Sequence, residues 1–111
     1  MAKLPSNQTY SDEADLLKDV KDWLEPQFRD GIKIVRISER YKKGYSDLFL
    51  CVRGIFVIIE LKDDEGVASP QQLRFIRDMK FCGAIGGVCR TVAEVAEYVE
   101  QAKQRVPVWP I

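Results

Sequence analysis

The sequence predicts a single α/β domain: a mixed central sheet flanked by helices, with an extra helix at the C-terminal end. Three observations predict it. Segments of helical and strand periodicity follow one another as helix, strand, strand, strand, helix, strand, helix. Two apolar runs meeting at Arg53-Gly54 read as an antiparallel hairpin. The last strand is reached through a helix, the connection that lays a strand parallel to the one it left. Antiparallel and parallel pairs in one sheet make a mixed sheet, in an α/β or closely related α+β sandwich.

Each element has its own signal. "SDEADLLKDVKDWLEP" opens on Ser11, a capping residue, and stops before Pro26. Leu16, Leu17, Val20, Trp23 and Leu24 recur at helical spacing. "IKIVRISE", residues 32–39, alternates apolar and polar, which reads as a strand. The basic loop "RYKKG" leads to the hairpin "GYSDLFLCVRGIFVIIELK", residues 44–62, and "KDDEGVASP" follows as a polar loop. Ser69-Pro70 starts a helix that runs to about Cys82, with Gly83 as its terminal glycine. "AIGGVCR" is a short strand, and Thr91 with Glu94 forms a capping box that opens the last helix.

With 111 residues, one domain is expected, and 46% hydrophobic residues suffice for one modest core. Residues 1–10 read as a polar, frayed N-terminus, 11–104 as the domain, and 105–111 ("RVPVWPI") as a tail that docks on the body or on a partner. Seventeen basic residues balance seventeen acidic ones, so net charge makes no case for nucleic acid, although a local basic patch remains compatible with it. Three cysteines without CxxC spacing predict reduced, mostly buried thiols in a cytoplasmic protein. No histidine is present, which excludes histidine triads, histidine metal sites and a histidine base. A metal, if used, would be held by carboxylates, favouring magnesium or manganese. No apolar segment suits a signal peptide or membrane span.

The hairpin joins this chemistry to the fold. With a two-residue turn at Arg53-Gly54, Leu48 faces Ile59 and Asp47 faces Glu60. Alternation puts Lys62 on the face of Glu60. Two apposed carboxylates require a proton or a cation between them, and a divalent ion there suits hydrolysis of a phosphodiester. Taken singly, each charge reads more plainly as part of a strand-end salt bridge. A slip of one residue would turn Asp47 to the opposite face.

At these residues the chain resembles a known family. Asp47, followed after 12 residues by Glu60-Leu61-Lys62, resembles the D…ExK signature of the PD-(D/E)xK nuclease superfamily. Together with Gly44, Leu48, Ser69-Pro70 and Gln72, it looks like the small stand-alone VRR-NUC domains of phage and bacterial genomes, over about residues 11–92. Ser46 departs from the usual proline of that motif. The resemblance implies a restriction-endonuclease-like αβββαβ core. It also implies that Asp47, Glu60 and the Leu61 carbonyl ligate Mg²⁺ or Mn²⁺, with Glu13 completing the shell through water, and that Lys62 is the catalytic lysine.

The family's helical glutamine is Gln71 or Gln72. Gln72 is preferred because it shares a face with Ile76 and Met79, although a first-turn glutamine also serves to satisfy backbone donors. Arg40, Lys42 and Lys43, with Arg36 on the preceding strand, would contact DNA phosphates, and Tyr41 and Tyr45 would stack on bases or pack. The expected activity is metal-dependent cleavage of branched DNA, such as a four-way junction, by a homodimer in the cytoplasm (of a bacterial host, if phage-encoded). The alternative is a non-catalytic DNA-binding or protein-interaction module on the same fold.

Overall fold

The computed structural model describes residues 5–35 and 48–106. In chain order these form α1 (Glu13–Leu24), a 3-10 turn (Glu25–Asp30), β1 (Ile32–Val35), β2 (Leu48–Val52), β3 (Ile55–Leu61), α2 (Pro70–Phe81), β4 (Ile85–Cys89) and α3 (Val92–Arg105). The sheet order is β1-β2-β3-β4, with β1–β2 and β2–β3 antiparallel and β3–β4 parallel. This is the expected mixed sheet, and the parallel partner of β4 is the strand from which the α2 crossover departs.

Alternation sorts the strands into two cores. Leu48, Leu50 and Val52 of β2 and Val57, Ile59 and Leu61 of β3 pack under α1 and α3, with Leu16, Val20, Leu24, Val95 and Val99. Phe49 and Ile58 point to the other face, where Ile76 of α2 covers them. The hairpin turns at Arg53 (φ 52°) and Gly54 (φ 86°), two successive left-handed residues as a tight two-residue turn requires. The register from Val52↔Ile55 to Leu48↔Ile59 is the one read from the sequence. Arg53 is held in this uncommon conformation by its own side chain, which donates to Asp30 Oδ1 (2.9 Å) and to the Val106 carbonyl (3.1 Å). Asp30 also receives Lys103, whose hydrogen bond, followed by that of Arg53, holds its carboxyl below the usual range.

The structure corrects three expectations. The α1 cap is Asp12, whose carboxylate accepts the Ala14 N–H at 2.8 Å, in place of Ser11. The expected stop before Pro26 holds, since α1 ends at Leu24 and a 3-10 turn, Glu25–Asp30, follows to Gly31 at φ 90°. Cys51 and Cys82 are exposed, and Cys89 alone is buried, where burial pushes its thiol well up. Within the described residues ahead of α1, Tyr10 is buried rather than frayed: its carbonyl accepts the Asp64 N–H at 2.7 Å, and the Ser6 carbonyl accepts the Ala93 N–H. Residues 36–39 of the first predicted strand and 107–111 of the tail lie outside the described residues.

Tyr10 offers a test of this packing. Its hydroxyl donates to Asp19 Oδ2 at 2.6 Å, and its pKa is pushed up to about 12, first by burial and then by Asp19. A phenol whose pKa is raised by folding stabilises fully below the unfolded value of about 10, and that stabilisation is lost as pH rises toward the folded value. Tyr10→Phe should cost about 1 kcal/mol at pH 7, the worth of one hydrogen bond. The gap between variant and parent should close by pH 11, as urea unfolding at the two pH values will report.

Candidate active site

Glu60 is the last residue but one of β3, an interior strand paired on both sides. Its position in the alternation turns it toward the α2 face with Ile58, and it is 0% exposed. A fully buried carboxylate is costly to keep unless hydrogen bonds and a cation answer it. Lys62, two residues on, supplies one cation: its Nζ lies 3.6 Å from Glu60 Oε2. At that distance the contact is an ion pair and not a hydrogen bond. The ladder carries on to Lys62, whose N–H donates to the Cys89 carbonyl at 3.1 Å, and its side chain is 15% exposed. The pair therefore sits at the mouth of the sheet, one member sealed and the other mostly buried with a small part reaching solvent.

The α2 crossover returns the chain antiparallel to β3, so the first turn of α2 stands at the end of the sheet where Glu60 and Lys62 lie. Gln72 in that turn is half-buried, whereas Gln71 is exposed. Gln72 is engaged in a capping box: its Oε1 accepts the Ser69 N–H at 2.8 Å, and its own N–H donates to Ser69 Oγ at 3.1 Å. Its amide oxygen thus secures the helix start.

Glu13 is arranged differently. It is the first residue of α1, a helix that packs on the face of the sheet opposite Glu60. The bond from Asp64 to Tyr10 nevertheless brings the entry to α1 to the same end of the sheet as Lys62. Leu61 sends its side chain into the α1–α3 core. Among the described residues no three Asp, Glu or Cys side chains gather into a group able to hold a metal. Asp47, together with Arg36, Arg40, Lys42, Lys43, Tyr41, Tyr45, Gly44 and Ser46, lies outside the described residues. Among the described residues no helix is long and apolar enough to cross a membrane.

The turn after Lys62 escaped sequence reasoning, which took it as a plain polar loop. Asp63 Oδ1 accepts the N–H groups of Glu65 (3.1 Å) and Gly66 (2.6 Å), and the Asp63 carbonyl accepts Arg90 Nη1 (2.5 Å). The signal was present in the Asp-x-x-Gly spacing, since an aspartate readily bonds the backbone two and three residues ahead.

Comparison with known proteins gives one result that bears on this arrangement. No protein-family model matches the chain, and no curated protein matches it. A solved structure described as a VRR_NUC domain superposes with a TM-score of 0.63 at 26% identity, covering 79% of this chain and 94% of the other. That coverage takes in nearly the whole of the compared domain, and the mixed four-stranded sheet described above suits such a core. The resemblance read in the sequence thus extends to the fold: the chain is similar to a VRR-NUC domain, a nuclease-type fold.

Proposed function

We propose that this protein is a divalent-metal-dependent DNA endonuclease that hydrolyses phosphodiester bonds in branched DNA. One observation supports the reading above others: Glu60, sealed at the end of an interior strand, with the Lys62 ammonium 3.6 Å from its carboxylate. A stability-driven sequence would place an apolar residue there, because a buried ion pair is often no better than well-packed hydrophobic side chains.

In this proposal Asp47 would stand opposite Glu60, one step outward from the pair Leu48↔Ile59. Asp47, Glu60 and the Leu61 carbonyl would hold Mg²⁺ or Mn²⁺, with Glu13 reaching the ion through water. The donor set is all oxygen, which suits these hard ions. When bound, the ion supplies the charge that acidifies water and offsets the phosphate's own. Lys62 orients the attacking water and offsets the charge that builds on the phosphate oxygens. Water adds to phosphorus as the bond to one ester oxygen breaks, leaving a phosphate monoester and a hydroxyl. Gln72 helps to position the substrate-facing end of α2. Arg36, Arg40, Lys42 and Lys43 bind the DNA backbone without reading sequence. So small a domain has little surface for sequence readout, and paired nicking of a junction calls for a homodimer.

The test is cleavage of a synthetic four-way junction with Mn²⁺, beside duplex and single-stranded DNA of the same sequences. Asp47→Ala should lower the rate by about 10³-fold or more, the scale on which site electrostatics act. Metal-dependent cleavage that survives unchanged in Asp47→Ala would refute the assignment of that residue. Absence of cleavage on every DNA would favour the non-catalytic module instead.

A further inference from the structure

We propose that the Asp63–Gly66 turn is a positioning device for Lys62, one that holds the lysine stem so that its ammonium meets Glu60. The inference rests on the nuclease reading above and assigns residues outside the D…ExK motif to it. Lys62 leaves β3 with only its backbone N–H tied into the ladder. Its four-carbon stem has many rotamers, and only a few bring Nζ within 3.6 Å of Glu60 Oε2. Selection among them comes from the turn. A Cβ added at Gly66 would lie 3.3 Å from Lys62 Cδ, 3.6 Å from Lys62 Cβ and 3.1 Å from Asp63 Oδ1. The stem therefore runs directly over the bare α-carbon of Gly66. Gly66 is not among the glycines with a left-handed φ, so a side chain there would meet no backbone strain, but it would press on the Lys62 stem and on Asp63 and push them aside by a few tenths of an ångström.

The platform is itself fixed from three sides. The Asp63 carboxylate gathers the N–H groups of Glu65 and Gly66 and sets the path of the turn under the stem. Arg90, just past β4, holds the Asp63 carbonyl. The following residue, Asp64, is tied through its N–H to Tyr10 ahead of α1. Its own aspartate and two distant parts of the chain thus hold a four-residue turn that packs closely under the lysine beside the buried glutamate. A turn serving only as a connection to α2 would need neither the vacant Cβ position nor contact with Lys62.

Two readouts test the device. The first needs no activity: reductive methylation of the metal-free protein, followed by mass spectrometry, reports how accessible each lysine is. Lys33 and Lys80, both exposed, serve as internal references. Lys62 should react severalfold faster in Asp63→Ala and Gly66→Val than in the parent. Asp63→Asn keeps an oxygen acceptor and should restore the slow rate. The second readout is junction cleavage with Mn²⁺. Asp63→Ala and Gly66→Val should lower kcat by about tenfold with KM for DNA unchanged, a loss on the scale of a sub-ångström misplacement of a catalytic group. Asp63→Asn should recover it.

Gly66→Ala, a smaller intrusion, provides the same comparison should Gly66→Val fail to fold. Parental methylation rates in the folded variants would overturn the proposal, as would faster methylation with unchanged kcat, or failure of Asp63→Asn to rescue. If the parent cleaves no DNA, the nuclease reading falls, and the methylation rates alone decide whether the turn holds Lys62.

Discussion

Glu60→Gln should abolish metal-dependent cleavage while leaving the protein folded, and Lys62→Ala should abolish it while weakening the fold. Both predictions follow from the asymmetry of the pair. Glutamine has nearly the shape of glutamate, so the site on the α2 face stays filled. It removes a charge from a position that is 0% exposed, and it leaves the Lys62 ammonium, whose side chain is 15% exposed, able to turn toward water. Stability should change by no more than about 1 kcal/mol, since the lost ion pair is offset by the lost desolvation of a buried charge. The rate should fall by about 10³-fold or more, because glutamine cannot supply the anionic oxygen a hard cation needs. Mn²⁺ affinity should fall with it.

Lys62→Ala does the reverse to the fold. It takes away the ammonium and leaves the carboxylate buried, a change that costs about 3 kcal/mol when a buried pair loses one partner. Urea unfolding and single-turnover cleavage on both variants separate the cases. If Glu60→Gln unfolds as readily as Lys62→Ala, Glu60 is there for stability, and the functional reading of the pair loses its basis.

The parts of this protein legible in its sequence are those set by local rules. The hairpin register followed from Arg53-Gly54, because a two-residue turn with left-handed residues fixes every pair outward from it. The start of α2 followed from Ser69-Pro70, and that of α3 from Thr91 with Glu94, because both signals lie within the first turn; the structure adds a second box between Ser69 and Gln72. What was missed depends on tertiary placement. Ser11 and Asp12 are both good caps, and only the geometry of the entering chain chose Asp12. Cys51 shares a face with Phe56, but nothing local says that α2 leaves this end of the sheet open, with Phe56 45% exposed. Tyr10 looked like part of a polar end because its partners, Asp64 and the core under α1, are distant or later in the chain.

The same division runs through the site. Glu60 and Lys62 were placed together by strand alternation, and the structure has them in contact. For Glu13, helical spacing gave the helix but not the face of the sheet it covers, and α1 lies across the sheet from Glu60. Gln72 was chosen over Gln71 on its helical face; it is half-buried, and its side chain is spent on the cap. The Asp63 turn required knowing that Lys62 lies over Gly66, a contact that no spacing rule contains.

Gly86→Ala should damage the protein more than a change at any other glycine whose backbone is left-handed. The residue pairs with Ile58 in the parallel β3–β4 ladder and has φ 148°. A Cβ there would lie 1.8 Å from the Ile58 carbonyl oxygen, 2.8 Å from its carbon and 2.9 Å from Ile58 Cγ1. Those first two atoms are backbone of an interior strand, so no side-chain rotation relieves the clash. The strands would have to part by more than an ångström from a spacing near 4.8 Å, which breaks the ladder on both sides. The expected loss is about 4 kcal/mol or more, the range reserved for overpacked cores and broken networks. For a domain of this size, that corresponds to a fall in Tm of roughly 15–30 °C. Gly83→Ala is the matched control. It has φ 105° but nothing within 4 Å of a new Cβ, so it bears only the conformational cost, about 1–3 kcal/mol. Thermal melts of the two variants isolate the clash from the backbone strain they share. Equal melting points would mean that β4 can shift away from β3 at little cost. Such freedom would also undermine the site, because the Cys89 carbonyl of β4 is what anchors the Lys62 backbone.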